Sequence, residues 1–318
     1  MGAESKHRRP RGRQQSVLIE VGDELWYKYA QQYPEYKRTV DDKDPKKKNP
    51  SDLVAKYRTQ ATELYRQQVE NHSQSKDQWL EAATKKGTLK DRIAAISVVI
   101  STDPVHRLDV MDKLLDYSKA NSGISPLAAE ALEDLFLSTL LPDDRKLISL
   151  SQRPLARYET KQHSLSPRIL VLWYYEEIIK EKYELFLRSY LAKSLQDSNL
   201  EIEKISALKI AGSLLRAVPE GESFNLNLIV NKLGDPARKV AAAAAHELRK
   251  TLLLHNAMQQ IVAREVQQLV HRPHLSRNAL YNCIVFLNQL QLVKGTSLPS
   301  SLIQTYFRLF ELAISKKQ

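Results

Sequence analysis

Glycine is scarce, with nine in 318 residues, less than half the usual share of about 7%. Leucine, alanine, lysine, glutamate and glutamine are plentiful instead, and that balance favours helix over strand. Cysteine is almost absent. A single residue, Cys283, excludes an internal disulfide framework and any cysteine-rich zinc module, and a reducing intracellular compartment is the simpler reading. Cys283 lies in "YNCIVFLNQL", apolar on both sides, and reads as a packed thiol rather than a nucleophile. Long apolar runs are missing too. "IAAISVVI" (Ile93 to Ile100) and "ILVLWYY" (Ile169 to Tyr175) fall well short of the ~20 residues that span a bilayer. The opening "MGAESKHRRPRGR" has no apolar core for a secretory signal and only a poor myristoylation pattern. A soluble, unsecreted protein with no membrane partner is expected.

Chemical motifs are equally sparse. "KKGTLK" and "VKGTSL" lack the full glycine-rich loop whose N–H groups cradle phosphates, and neither a nucleophile elbow nor a dinucleotide fingerprint occurs. His271 and His274, with His255 and His246 upstream, are the one histidine grouping in the sequence. His271 and His274 bracket Pro273 with no carboxylate near, and Cys283 does not complete a zinc set, so ordinary exposed histidines are expected and no metal or cofactor is assigned. The acidic pairs Asp143-Asp144 and Glu176-Glu177 are the remaining catalytic candidates. The first is expected to cap a turn and pair with Arg145 and Lys146.

What the chain does have is positive charge at both ends. Residues 1–90 carry 19 basic and 13 acidic side chains (+6), residues 91–230 carry 17 and 20 (−3), and residues 231–318 carry 12 and 4 (+8), for a net +11. Clustered lysine and arginine gain affinity for nucleic acid by releasing phosphate counterions, although a merely solvated basic surface has the same composition.

Residues 1–50 read as a basic, largely disordered arm and linker, with a short helix near "GDELWYKYAQQY". Residues 51–318 read as one helical domain. A capping residue, often followed by proline, recurs at Pro50-Ser51, Asp103-Pro104, Ser125-Pro126, Ser166-Pro167 and Asp235-Pro236, each marking a helix start. Helices are predicted near 51–71, 74–84, 88–101, 104–120, 126–141, 167–195, 200–217, 223–233, 236–255, 257–271, 274–292 and 299–315. Helices of this length, paired at roughly 40 residues, have the period of HEAT or armadillo arrays, so the expected fold is an all-α solenoid. Within it, "DPARKVAAAAAHELRKTL" should be a helix capped by Asp235. Its Ala241, Ala244, Ala245, Leu248 and Leu252 would face a close neighbour, with Lys239, His246 and Lys250 opposite. Trp173, Tyr174, Tyr175 and Tyr183 sit at helical spacing among isoleucine and leucine and read as core.

Six separated stretches carry a resemblance. "KKGTLKDRIAAISVVISTDPVHRLDVMDKL", "EALEDLFLSTLLPDDRKLISLSQRPL", "LWYYEEIIK", "VNKLGDP", "CIVFLNQL" and "LIQTYF", in this order over roughly residues 80–310, are similar to the CCAAT-binding-factor family in its nucleolar-complex branch. The resemblance implies a non-enzymatic α-solenoid that assembles the large (60S) ribosomal subunit in the nucleolus. It also implies binding to pre-rRNA, heterodimer formation with nucleolar complex protein two, and contact with other pre-60S assembly factors. The family's other label implies a CCAAT-box DNA-binding activator, and a protein-only scaffold is a third possibility. The family continues into further helices beyond "LIQTYFRLFELAISKKQ", so the chain is expected to be the amino-terminal part of a longer scaffold, truncated at its C-terminus.

Charge alone selects the candidate phosphate contacts. Arg8, Arg9, Arg11, Arg13, Lys46, Lys47 and Lys48 would form a mobile arm. Lys232, Arg238, Lys239, Arg249, Lys250, Arg272 and Arg277 would form an ordered basic surface. Arg145, Lys146 and Arg153 in "DDRKLISLSQRP" are a third group, with a structural turn held by charge pairs as the slightly favoured alternative.

Overall fold

The computed structural model describes residues 18–22, 24–39, 49–72, 87–119, 123–159, 164–292, 295 and 297–315. Within them the chain is helical throughout: α1 (Trp26–Gln31), α2 (Ser51–His72), α3 (Leu89–Thr102), α4 (Met111–Ser118), α5 (Ser125–Leu135), α6 (Pro167–Phe186), α7 (Glu201–Ala217), α8 (Glu222–Asn231), α9 (Arg238–Leu254), α10 (Gln259–Val270), α11 (Arg277–Asn288) and α12 (Leu298–Ser315). The helix predicted at 74–84 falls outside the described residues. Two helices run on through a wider π turn, α5 into Phe136–Leu140 and α6 into Leu187–Ala192.

Local chemistry accounts for some of the helix starts. Thr88 and Asp91 open α3 with a reciprocal capping box, satisfying two backbone donors of the first turn. Ser166 precedes Pro167 at the start of α6. At Asp103-Pro104 the expected helix does not form. Asp103 accepts from the His106 N–H at 3.3 Å and closes a single turn, Val105, His106 and Leu108 turn inward, and α4 begins only at Met111. Asp235 accepts from the Ala237 N–H at 3.0 Å, which moves the cap of α9 to Ala237.

The amino-terminal half wraps around α6. Its first turns bury Ile169, Leu170, Val171, Leu172 and Trp173, as a helix without a polar face requires. Helix α2 packs along α6, and α3, α4 and α5 pack on one another beside it. Residues 18–22 and 24–39, assigned from sequence to the arm, pack with this core. Trp26 is fully buried, donates to the Leu140 carbonyl at 3.0 Å and meets Tyr175 edge-on at 5.1 Å. The sequence-based boundary at residue 50 is therefore too late, because aromatic anchors rather than charge decide what this segment does.

The carboxy-terminal half is more regular. Helix α7 packs on α8 and α9, α8 on α9 and α10, and α10 on α11 and α12, while α11 packs against the turn Lys232–Gly234 ahead of α9. Helix α9 buries Val240, Ala241, Ala244, Glu247, Leu248 and Thr251. The alanine face is thus turned further than expected, leaving Ala245 and Leu252 at its border. The cause is Glu247, drawn inward to Arg216 of α7 at 2.7 Å. A Cβ on Gly212 of α7 would lie 2.5 Å from Glu247 Oε2, so the two helices meet through small residues on both sides.

Candidate nucleic-acid interface

The third candidate group resolves into a structural strap. Residues 145–153 lie across the carboxylates of α6 and its neighbours. Glu176, fully buried, accepts from the Tyr36 hydroxyl at 2.6 Å, the Ile148 N–H at 3.0 Å and the guanidinium groups of Arg145 and Arg153. Glu177 takes Arg58 through two nitrogens, at 2.9 and 3.1 Å, and the Leu150 N–H at 3.1 Å, while Glu220 takes the Leu147 N–H at 2.7 Å. Burial and the adjacent Glu176 charge push the Tyr36 hydroxyl well above its ordinary pKa. Glu176 and Glu177 are thus engaged in holding backbone N–H groups, guanidinium groups and the Tyr36 hydroxyl.

Arg153 cannot meet RNA. It is 0% exposed and sandwiched between Tyr36 at 4.8 Å and Trp173 at 5.3 Å, where a desolvated cation is stabilised by ring faces as well as by its carboxylate. Arg145 is half-buried on the same glutamate, and Lys146 is exposed but pairs with Glu222 at 3.0 Å. The pairing expected between Asp143-Asp144 and these two cations is therefore replaced by partners distant in sequence.

Apart from Lys232, half-buried on Asp235, the candidate cations of the basic last third stay exposed, in two separated places. Lys232 pairs with Asp235 at 2.9 Å, Arg272 donates to the Asn231 side chain at 2.8 Å, and Asn282 of α11 donates to the Leu233 carbonyl at 3.1 Å. The turns before α9 and α11 thus lie side by side, and they bring Lys232, Arg238, Lys239, Arg272 and Arg277 to one edge. Arg249 and Lys250 lie about three turns further along α9, roughly 16 Å at 1.5 Å per residue. Arg249 donates to Gln289 at 2.8 Å there, and Lys250 pairs with Glu247 at 3.6 Å. Arg8, Arg9, Arg11, Arg13, Lys46, Lys47 and Lys48 lie outside the described residues.

Two of this region's four acids are withdrawn from the surface. Asp235 is held by Lys232, Lys204 and the Ala237 N–H, and Glu247 by Arg216 and Lys250. Burial works against the charged form of Asp235, but the Lys232 hydrogen bond, the Ala237 N–H and the nearby lysine charges outweigh it and hold the carboxyl below its usual value. Exposed cations therefore outnumber exposed acids here by more than the composition alone suggests.

One cluster escaped the sequence reading because its members are 31 residues apart. His72, Asp103 and His106 offer atoms within 4.8 Å of one another. Gln68 decides their chemistry. Its Oε1 accepts from the Leu18 N–H at 2.6 Å and its Nε2 donates to the Ile19 carbonyl, so the remaining N–H faces His106 Nε2 at 2.8 Å. His106 must accept there and carry its proton on Nδ1, 2.7 Å from Asp103. Coordination through Nδ1 would set His106 N–H against Gln68 N–H, so these residues fit a hydrogen-bonded tie better than a metal site. His72 completes it at 2.9 Å from Asp103, stacked on His106 at 3.9 Å. Burial opposes the charge on Asp103, yet the His106 hydrogen bond and the two histidines keep its carboxyl below the ordinary range.

No protein-family model matches the chain. Among curated proteins it is 33% identical over 318 residues to human CCAAT/enhancer-binding protein zeta, covering 95% of this chain and 29% of that protein. It is 28% identical to Nucleolar complex protein 1 of Drosophila melanogaster, over 93% of this chain and 25% of that one. With the Ribosome biogenesis protein NOC1 of Chaetomium thermophilum it shares 31% identity, over 79% and 25%. The chain belongs to the CCAAT-binding-factor (NOC1) family. It spans about a quarter to three tenths of the length of these relatives. No described helix is long and apolar enough to cross a membrane.

Proposed function

We propose that this segment is a non-enzymatic scaffold of large-subunit ribosome assembly, acting in the nucleolus on early pre-60S particles. Its basic edge, at Lys232, Arg238, Lys239, Arg272 and Arg277, holds pre-rRNA backbone. Other surfaces take nucleolar complex protein two and further pre-60S factors. Relatives named for the nucleolar complex and for ribosome biogenesis supply the setting. The packing of α7 on α9, α8 on α10 and α10 on α12 supports a HEAT-like array in that half. The observation that carries the RNA reading is the withdrawal of Asp235 and Glu247 into buried pairs, which leaves Arg238, Lys239, Arg272 and Arg277 to face an anionic partner.

In-cell crosslinking followed by sequencing, with proteomics on the same purification, tests this reading. Crosslinks to large-subunit pre-rRNA from residues 232–277 are expected. Particles that contain the chain without direct rRNA crosslinks would establish a protein-only scaffold. The name of the human and mouse relatives favours a second reading, a CCAAT-box DNA-binding activator. It requires preference for duplex CCAAT sites over mixed competitor DNA.

A further inference from the structure

A cleft of about 260 Å³ runs between α10 and α12. Arg264 lines it from α10, His271 from the residue just past the end of α10, and Arg308 from α12. Its floor is neutral and already satisfied: Gln267 and Ser301 hydrogen-bond each other at 2.8 and 3.0 Å, and the buried Thr305 hydroxyl donates to the Ser301 carbonyl. The acids nearest in sequence, Glu265 and Glu311, do not line it. Arg264 and Arg308 have no acidic partner among the described residues, and both are exposed. The cleft therefore gathers two guanidinium groups and an imidazole over a surface that carries no compensating charge.

Convergence is visible in His271. Burial, and then the charge of the nearby Arg308, hold its imidazole below the ordinary histidine value. The cleft also continues the basic edge. Arg272 follows His271 directly and reaches back to Asn231, beside Lys232. A chain of phosphates crossing the turns ahead of α9 and α11 would run on into it.

We infer that the α10–α12 cleft is a phosphodiester-binding site for an RNA backbone, with Arg264 and Arg308 as its paired contacts. Guanidinium groups suit this role because each presents planar, bidentate donors to phosphate oxygens. The inference rests on the reading of this segment as an RNA-holding scaffold and adds residues that reading did not include. Contacts of this type position the strand and carry no sequence information, so binding is indifferent to base composition.

The test uses the purified 318-residue chain and fluorescent mixed-sequence single-stranded RNA, with affinity measured across a salt series. Arg264→Gln combined with Arg308→Gln should weaken binding and flatten the dependence of log K on log salt by about 1.4, at ~0.7 per single-strand phosphate contact. Gln268→Glu with Gln304→Glu, which keeps both arginines but places carboxylates on the cleft rim, should weaken binding in the same direction. Lys119→Gln with Arg188→Gln removes the same charge from exposed positions elsewhere and should leave the slope unchanged. If the wild type binds RNA and the cleft variants match this control, the cleft is wrong while the RNA reading survives. If the wild type shows no salt-dependent RNA binding, both fall. A phosphorylated peptide that binds in the cleft where RNA does not would overturn the RNA assignment.

Discussion

Replacing Glu176 by glutamine tests the strap most directly. Its carboxylate is the shared acceptor for four donors: Tyr36 Oη, the Ile148 N–H, Arg145 and Arg153. Glutamine keeps the shape but removes the charge and turns one oxygen into an NH₂ donor. In either flip that NH₂ faces a group that can only donate, either Arg153 or the Arg145 and Ile148 pair. With the NH₂ toward Arg153, that buried cation keeps only the Tyr36 and Arg38 carbonyls and two ring faces; with the NH₂ toward Arg145 and Ile148, Arg153 faces a neutral amide oxygen in place of its carboxylate. Breaking one side of a buried charge pair costs about 3–5 kcal/mol, a large part of the ~5–15 kcal/mol that holds a domain together. Urea denaturation of the purified chain should show the midpoint falling with the slope unchanged. RNA affinity of the protein that remains folded should not change, because the strap is not part of the basic edge. A Glu176→Gln protein within about 0.5 kcal/mol of wild type, the range of an ordinary surface change, would refute the account.

Ala244→Phe on α9 should destabilise the fold by about 1–3 kcal/mol through overpacking against α7, whereas Ala242→Phe, at an exposed position of the same helix, should cost much less in the same urea titration. Asp235 has a depressed carboxyl, so its contribution to stability is complete above the unfolded aspartate value of about 3.9 and is lost as pH falls through its lower folded value. Unfolding free energies of wild type and Asp235→Asn should therefore differ near neutrality and converge in acid. The Cys283 thiol is fully buried and pushed up to about 11 by burial, so it should resist Ellman's reagent in native protein and react fully in denaturant. Rapid labelling under native conditions would contradict its placement.

The comparison of sequence with structure turns on a few residues. The α3 capping box, Pro167 at the head of α6 and the apolar run after it are local signals, and each produced the expected helix because short-range hydrogen bonding and burial agree there. Asp103-Pro104 misled for the opposite reason. The side chain of Asp103 is engaged by His72 and His106, and the first of these lies 31 residues away. The basic face of α9 was legible from periodicity, but the inward turn of Glu247 was not, because its cause is Arg216 on another helix.

By itself the sequence determined the helical class, the family, and the excess of positive charge in the last third. Composition, helix signals and motif order do not depend on which segments meet. Only the tertiary structure decided which charges remain available. Arg153 and Arg272 look equivalent along the chain, yet one is enclosed with Glu176, Tyr36 and Trp173 while the other stays at the surface with Asn231. A cation's partner is set by what folds against it, and desolvation makes a buried arginine part of the core where an exposed one is left to meet a phosphate.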